Sequence, residues 1–76
     1  MARKHENKYV QLALNIAYYR KKEDLTQEQL AEAVGVSRTH ISNIEATKMD
    51  KSVSLDVLFD IADALKVGVG ALFEIR

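Results

Sequence analysis

No cysteine, proline or tryptophan occurs in the 76 residues, and only three glycines do. Without cysteine there is no disulfide to staple a small fold and no thiolate set for a structural zinc. His5 and His40 stand far apart, with no neighbouring acidic spacing of the kind a zinc site needs, so no metal is implied. No apolar run approaches the roughly 18 residues that cross a bilayer, and the polar N-terminus is unlike a signal sequence. A soluble, cytoplasmic protein with no membrane segment is expected. No glycine-rich phosphate loop and no nucleophile–base–acid set is present, which leaves an enzyme poorly supported and implies no cofactor. Net charge is lacking too: eleven basic residues balance eleven acidic ones, and the pI is near 6.7.

The balance hides an uneven distribution. Residues 1–22 hold Arg3, Lys4, Lys8, Arg20, Lys21 and Lys22 against Glu6 alone, a local charge of +5. Residues 23–53 come to −3, from Arg38, Lys48 and Lys51 against Glu23, Asp24, Glu28, Glu32, Glu45 and Asp50. Residues 54–76 come to −2, from Lys66 and Arg76 against Asp56, Asp60, Asp63 and Glu74. Local patches rather than net charge meet a polyanion, provided the acidic residues face elsewhere. A neutral domain should still bind nucleic acid non-specifically less well than a basic one.

The most informative stretch is 26–45, TQEQLAEAVGVSRTHISNIE. Thr26 can accept a hydrogen bond from an unpaired amide of the first helical turn, and Gln29 can reach back to the Thr26 N–H, completing a capping box. Leu25 and Leu30 take the hydrophobic-staple positions on either side. The helix that follows turns Leu30, Ala31 and Val34 inward, and Ala31 is small where a second helix would cross closely. Gly35 can end it with a positive φ at no Cβ cost. Ser37 then caps a second helix with Ile41, Ile44 and Glu45 inward and Arg38, Thr39, Ser42, Asn43 and Ala46 on the other face. A helix-turn-helix is the natural reading.

On these residues the stretch resembles the helix-turn-helix of the Cro and phage-repressor (XRE) family of bacterial transcription regulators. Ala31, Gly35, Ile41 and Ile44 match the family's four structural positions, the flanking LTQEQL and SNIE match too, and the similarity continues through Ser54–Phe73. The resemblance implies an all-α, lambda-repressor-like DNA-binding domain, a compact bundle of about five short helices. It implies a dimeric regulator, a repressor by preference, that binds double-stranded DNA at a palindromic operator. Base contacts would fall to Arg38, Thr39 and Asn43, with Ser42 and His40 of second rank. Phosphate contacts would fall to Gln27 and, from the following loop, Thr47, Lys48 and Lys51. It also implies an ion pair from Arg20 to Glu45, which would account for an arginine on an apolar stripe. The bland reading is that polar residues on an exposed helix are merely solvated and that Gln27 is only a first-turn residue.

The remaining chain reads as support. Residues 1–6 are expected to fray, leaving 7–76 as one domain with no room for a ligand-sensing unit. A first helix from about Asn7 to Lys22 should turn Tyr9, Leu12, Ala13, Ile16, Tyr19 and Arg20 inward, with Tyr18 and Tyr19 packing rather than stacking on bases. Residues 46–53 form a loop that departs from the family in carrying Thr47 where relatives have Gly and in lacking a Pro. Ser54 should cap a helix to about Lys66 with Leu55, Leu58, Ile61, Ala62 and Leu65 inward. A last short helix, from about Val69 to Phe73, is poorly capped at Gly68. It carries more apolar surface than a small core absorbs, so Val69, Leu72 and Phe73 are expected to meet a second copy. The competing function is a protein-interaction module, an antitoxin-like partner that uses this same apolar segment.

Overall fold

The computed structural model describes residues 4–46 and 53–75. In order come α1 (Glu6–Lys22), α2 (Gln27–Val34), α3 (Arg38–Glu45), α4 (Leu55–Ala64) and a closing 3-10 turn at Val69–Phe73. Among the described residues the fold is all-α, with four α-helices and, where the fifth short helix is expected, a 3-10 helix. The fifth element is a single tight turn because Gly68 supplies no capping side chain and Gly70 favours no helix. The loop residues Thr47, Lys48 and Lys51 lie outside the described residues.

Every element contributes to one core. Leu12 and Ile16 from α1 meet Leu30 and Ala31, Ile41, Leu58, Ile61 and Ala62, with Leu65 and Leu72 closing the cluster. Each fully buried aliphatic side chain is worth about 1.5–3 kcal/mol, so this cluster supplies most of the drive to fold. Two expected placements need correction, one inward and one outward. Leu55 is 65% exposed, because it sits in the first turn of α4 on the flank it shares with Phe59, one turn further on. Leu72 is fully buried and belongs to the core, so it cannot meet a second copy. Phe73 and Ile75 are the exposed apolar residues of that segment, whereas Val69 is half-buried against the core.

Asn15 was absent from the expected inward face, yet it is buried. Its Nδ2 donates to the Leu72 carbonyl at 3.0 Å and the Glu74 carbonyl at 2.7 Å, and its Oδ1 accepts from Gln11 Nε2 at 3.1 Å. One amide therefore holds the C-terminal segment against α1 at backbone positions that no helix or strand satisfies.

Three helices end in the same way. Asp24, Gly35 and Lys66 have φ of 59°, 83° and 62°. In each case the next amide bonds back to a carbonyl five residues earlier: Leu25 to Arg20, Val36 to Ala31 and Val67 to Ala62. Leu25, Val36 and Val67 then pack against the core. This is the left-handed helix stop with its hydrophobic contact. Only Gly35 adopts it without strain. Its Cβ position is open, so the glycine is there for its dihedral angle, not for space.

The tie between α1 and α3 is an ion pair. Arg20 Nε donates to Glu45 Oε2 at 2.7 Å and Arg20 Nη2 to Glu45 Oε1 at 3.0 Å, a two-pronged geometry. Arg20 Nη1 donates to the Leu25 carbonyl at 2.7 Å, which also fixes the α1–α2 connection. The two side chains are 11% and 6% exposed. Removing one partner strands a desolvated charge, so Arg20→Ala is expected to cost about 3–5 kcal/mol in urea unfolding, and a loss below about 1 kcal/mol would mean the pair is effectively solvated. Lys66→Gly is expected to do the reverse, because it removes a left-handed penalty at an exposed site. A gain of about 0.5–1 kcal/mol in the same measurement is expected, against no gain if the backbone there is unstrained.

Candidate nucleic-acid interface

The capping box expected at the head of α2 is complete: Thr26 Oγ1 accepts from the Gln29 amide at 3.0 Å, and the Thr26 amide donates to Gln29 Oε1 at 2.8 Å. Gly35 ends α2, and Ser37 Oγ accepts from the His40 amide at 3.0 Å to start α3 two residues later. So short a connection leaves α3 no freedom to lie antiparallel to α2, and it crosses α2 where Ala31 is small and buried.

Burial then divides the surface of α3. Ile41 is fully buried and Ile44 packs against the core, while Glu45 faces Arg20. At about 100° per residue, Thr39 and Asn43 stand opposite that inward side, Arg38 and Ser42 lie on one flank and His40 on the other. Arg38, Thr39 and His40 are exposed, whereas Ser42 and Asn43 are half-buried. Five hydrogen-bonding side chains thus occupy the outward face and flanks of a helix whose diameter, about 10–12 Å, suits a groove about 12 Å wide.

Arg38 also borders an open polar depression with Thr26, Gln27 and Gln29 at the head of α2. Gln27 is not simply solvated there: its Nε2 donates to Glu45 Oε1 at 3.1 Å. Glu45 therefore serves Arg20 and Gln27 together, a role with no signal in spacing, since the residues lie 18 positions apart. The acidic residues do not all turn away from this side. Glu28 and Glu32 are exposed and line the same depression, which weakens its attraction for an anion. Tyr19 packs partly into the core and meets the exposed Tyr18 edge-on, ring centroids 5.0 Å apart. Among the described residues no group of three or more His, Asp or Glu side chains is placed to hold a metal ion, and no helix is long and apolar enough to cross a membrane.

Comparison with known proteins fits this geometry. The family model described as "Helix-turn-helix" matches residues 16–72. The control protein C.SmaI of Serratia marcescens is 41% identical over 61 residues, which span 80% of this chain and 70% of that one. The restriction-modification controller protein C.AhdI from Aeromonas hydrophila superposes with a TM-score of 0.83 at 27% identity, covering 93% of this chain and 100% of its own. The biofilm master regulator SinR, solved in complex with DNA, gives a TM-score of 0.75 at 28% identity over 83% of this chain and 98% of its own. These proteins are regulators rather than enzymes, and the chain belongs to the XRE-type helix-turn-helix family of DNA-binding transcription regulators.

Proposed function

We propose that this protein is a homodimeric repressor that reads a palindromic operator with α3 in the major groove, its residues 7–76 acting as one DNA-binding domain in the cytoplasm. The observation that carries the reading is the outward surface of α3, where Thr39 and Asn43 stand opposite the buried Ile41 and Arg38 is exposed on one flank. Arg38 suits guanine, with two parallel hydrogen bonds to O6 and N7. Asn43 suits the N6 and N7 edge of adenine, and Thr39 suits a base acceptor or a thymine methyl. Ser42 and His40 flank these and would adjust the register. Gln27 at the head of α2 would take a phosphate, where free amides and the positive end of the helix dipole already favour an anion. Thr47, Lys48 and Lys51 would meet the backbone from the loop.

A second copy would place another α3 roughly 34–36 Å away, one turn along the duplex. The dimer contact is assigned to the C-terminal segment, where Phe73 and Ile75 are 53% and 85% exposed, with Val69 behind them. Leu55 and Phe73 border one crevice with Tyr9, Leu12 and Leu58, which extends that apolar surface onto α4. The similar proteins C.SmaI and C.AhdI are named as a control protein and a restriction-modification controller, and we take control of a restriction-modification system as the regulatory context. The same exposed apolar residues favour the second reading, an antitoxin-like module that covers another protein.

Selection of bound sequences from random duplex DNA, with the Arg38→Ala, Thr39→Ala double variant alongside, separates the two. A two-fold-symmetric site is expected, with affinity falling roughly 10–100-fold in the variant. No enrichment by folded wild-type protein at low salt would favour the interaction module.

A further inference from the structure

We propose that Glu45 has a second role beyond its ion pair: it holds the Gln27 side chain in the one orientation that can bridge to an operator phosphate. The inference rests on the phosphate contact proposed for Gln27. A carboxylate only accepts hydrogen bonds, so the group that Gln27 turns toward Glu45 must be its NH2. That nitrogen carries two N–H donors. One is spent on Glu45 Oε1 at 3.1 Å, and among the described residues the other has no partner. The depression that Gln27 shares with Thr26 and Arg38 is open to solvent, and Arg38 offsets part of the repulsion that Glu28 and Glu32 on the same lining exert on an anion.

The charge arithmetic permits the bridge. A phosphate would be repelled by a lone carboxylate beside its donor, but both Glu45 oxygens are already held by the Arg20 guanidinium. The triad therefore presents a neutralised pair and a polarised N–H, and hydrogen bonds in such a chain strengthen one another. It also removes a cost. A free glutamine has to be ordered when DNA arrives, at roughly 0.5–1.5 kcal/mol, whereas this one is ordered in advance. At ~1.4 kcal/mol per factor of ten, that is a gain of about two- to tenfold in affinity. Glu45 is thus a positioning residue for the interface and need not touch DNA.

The experiment is a double-mutant cycle on affinity for the selected operator. Gln27→Met keeps the side-chain shape without its donors. Arg20→Met together with Glu45→Met removes the acceptor while leaving apolar groups in place of the pair, an exchange that is often neutral for stability. In the wild-type background Gln27→Met is expected to weaken binding about tenfold, as for a hydrogen bond to a charged group. In the Arg20→Met, Glu45→Met background the same change should cost about fivefold or less. Replacing operator phosphates one at a time by methylphosphonate should give one position whose effect vanishes in Gln27→Met, and the loss should be uniform across operator variants. A full tenfold loss in both backgrounds would overturn the role of Glu45 and leave the Gln27 phosphate contact standing. No loss in the wild-type background would overturn both, while leaving base reading by α3 to the selection experiment.

A measurement on the unaltered protein covers the case in which the methionine variant does not fold. In NMR spectra of the free protein one of the two Gln27 Nε2 protons should exchange with solvent more slowly than the other, and operator DNA should shift the faster one. Equally fast exchange of both protons in the free protein would overturn the proposal.

Discussion

The ion pair between Arg20 and Glu45 is the constraint on which the arrangement of this small domain turns. Its hydrogen bonds reach α1, the α1–α2 connection at Leu25, the head of α2 at Gln27 and the end of α3. An apolar contact could hold α3 to the core as firmly, since desolvating two charges offsets most of their attraction. What it could not do is specify angle. A two-pronged pair with directed hydrogen bonds tolerates little rotation of α3 about its axis, and rotation decides which side chains face outward. Ile41 supplies the burial and Glu45 the setting.

The rest of the fold can be seen as the means of keeping that setting in a chain with little core to spare. A domain of this size buries roughly 60% of its unfolded surface, so each helix end matters. Leu25, Val36 and Val67 each follow a left-handed residue and bring the chain back onto the core. Two of those left-handed residues are Asp24 and Lys66, so the fold carries strain to obtain these returns. Asn15 does for the C-terminal segment what the ion pair does for α3, because it fixes the backbone at Leu72 and Glu74 and so leaves Phe73 and Ile75 outside. The proposed dimer contact depends on that placement.

Much of this was legible in the sequence where local chemistry and tertiary need agree. Thr26 with Gln29, Gly35 and Ser37 announce helix ends through mechanisms that work within a few residues, and all three act as expected. The burial of Leu58, Ile61 and Leu65 follows from their spacing alone. Legibility failed where a residue's role is set from a distance. Asn15 is polar and so drops out of an apolar stripe, although its partners lie 57 and 59 residues away. Leu55 fits the stripe yet sits beyond the edge of the core. Asp24 and Lys66 look like ordinary helix-end charges, because propensity disfavours the angles that tertiary packing imposes on them. Within the interface, the outward set on α3 follows from its period, but the bond from Gln27 to Glu45 does not. Glu28 and Glu32 show the same limit, since no pattern in the sequence sets them beside Arg38.

The central claim is that α3, set by the Arg20–Glu45 pair, presents its outward face to the major groove. Chemical footprinting with dimethyl sulfate on the bound operator tests it most directly, because guanine N7 lies in the major groove and adenine N3 in the minor groove. The expected result is guanine N7 protection in two clusters about one helical turn apart, with Arg38→Ala losing one protected guanine from each cluster. Protection confined to adenine N3, or guanine protection unchanged by Arg38→Ala, would contradict the account.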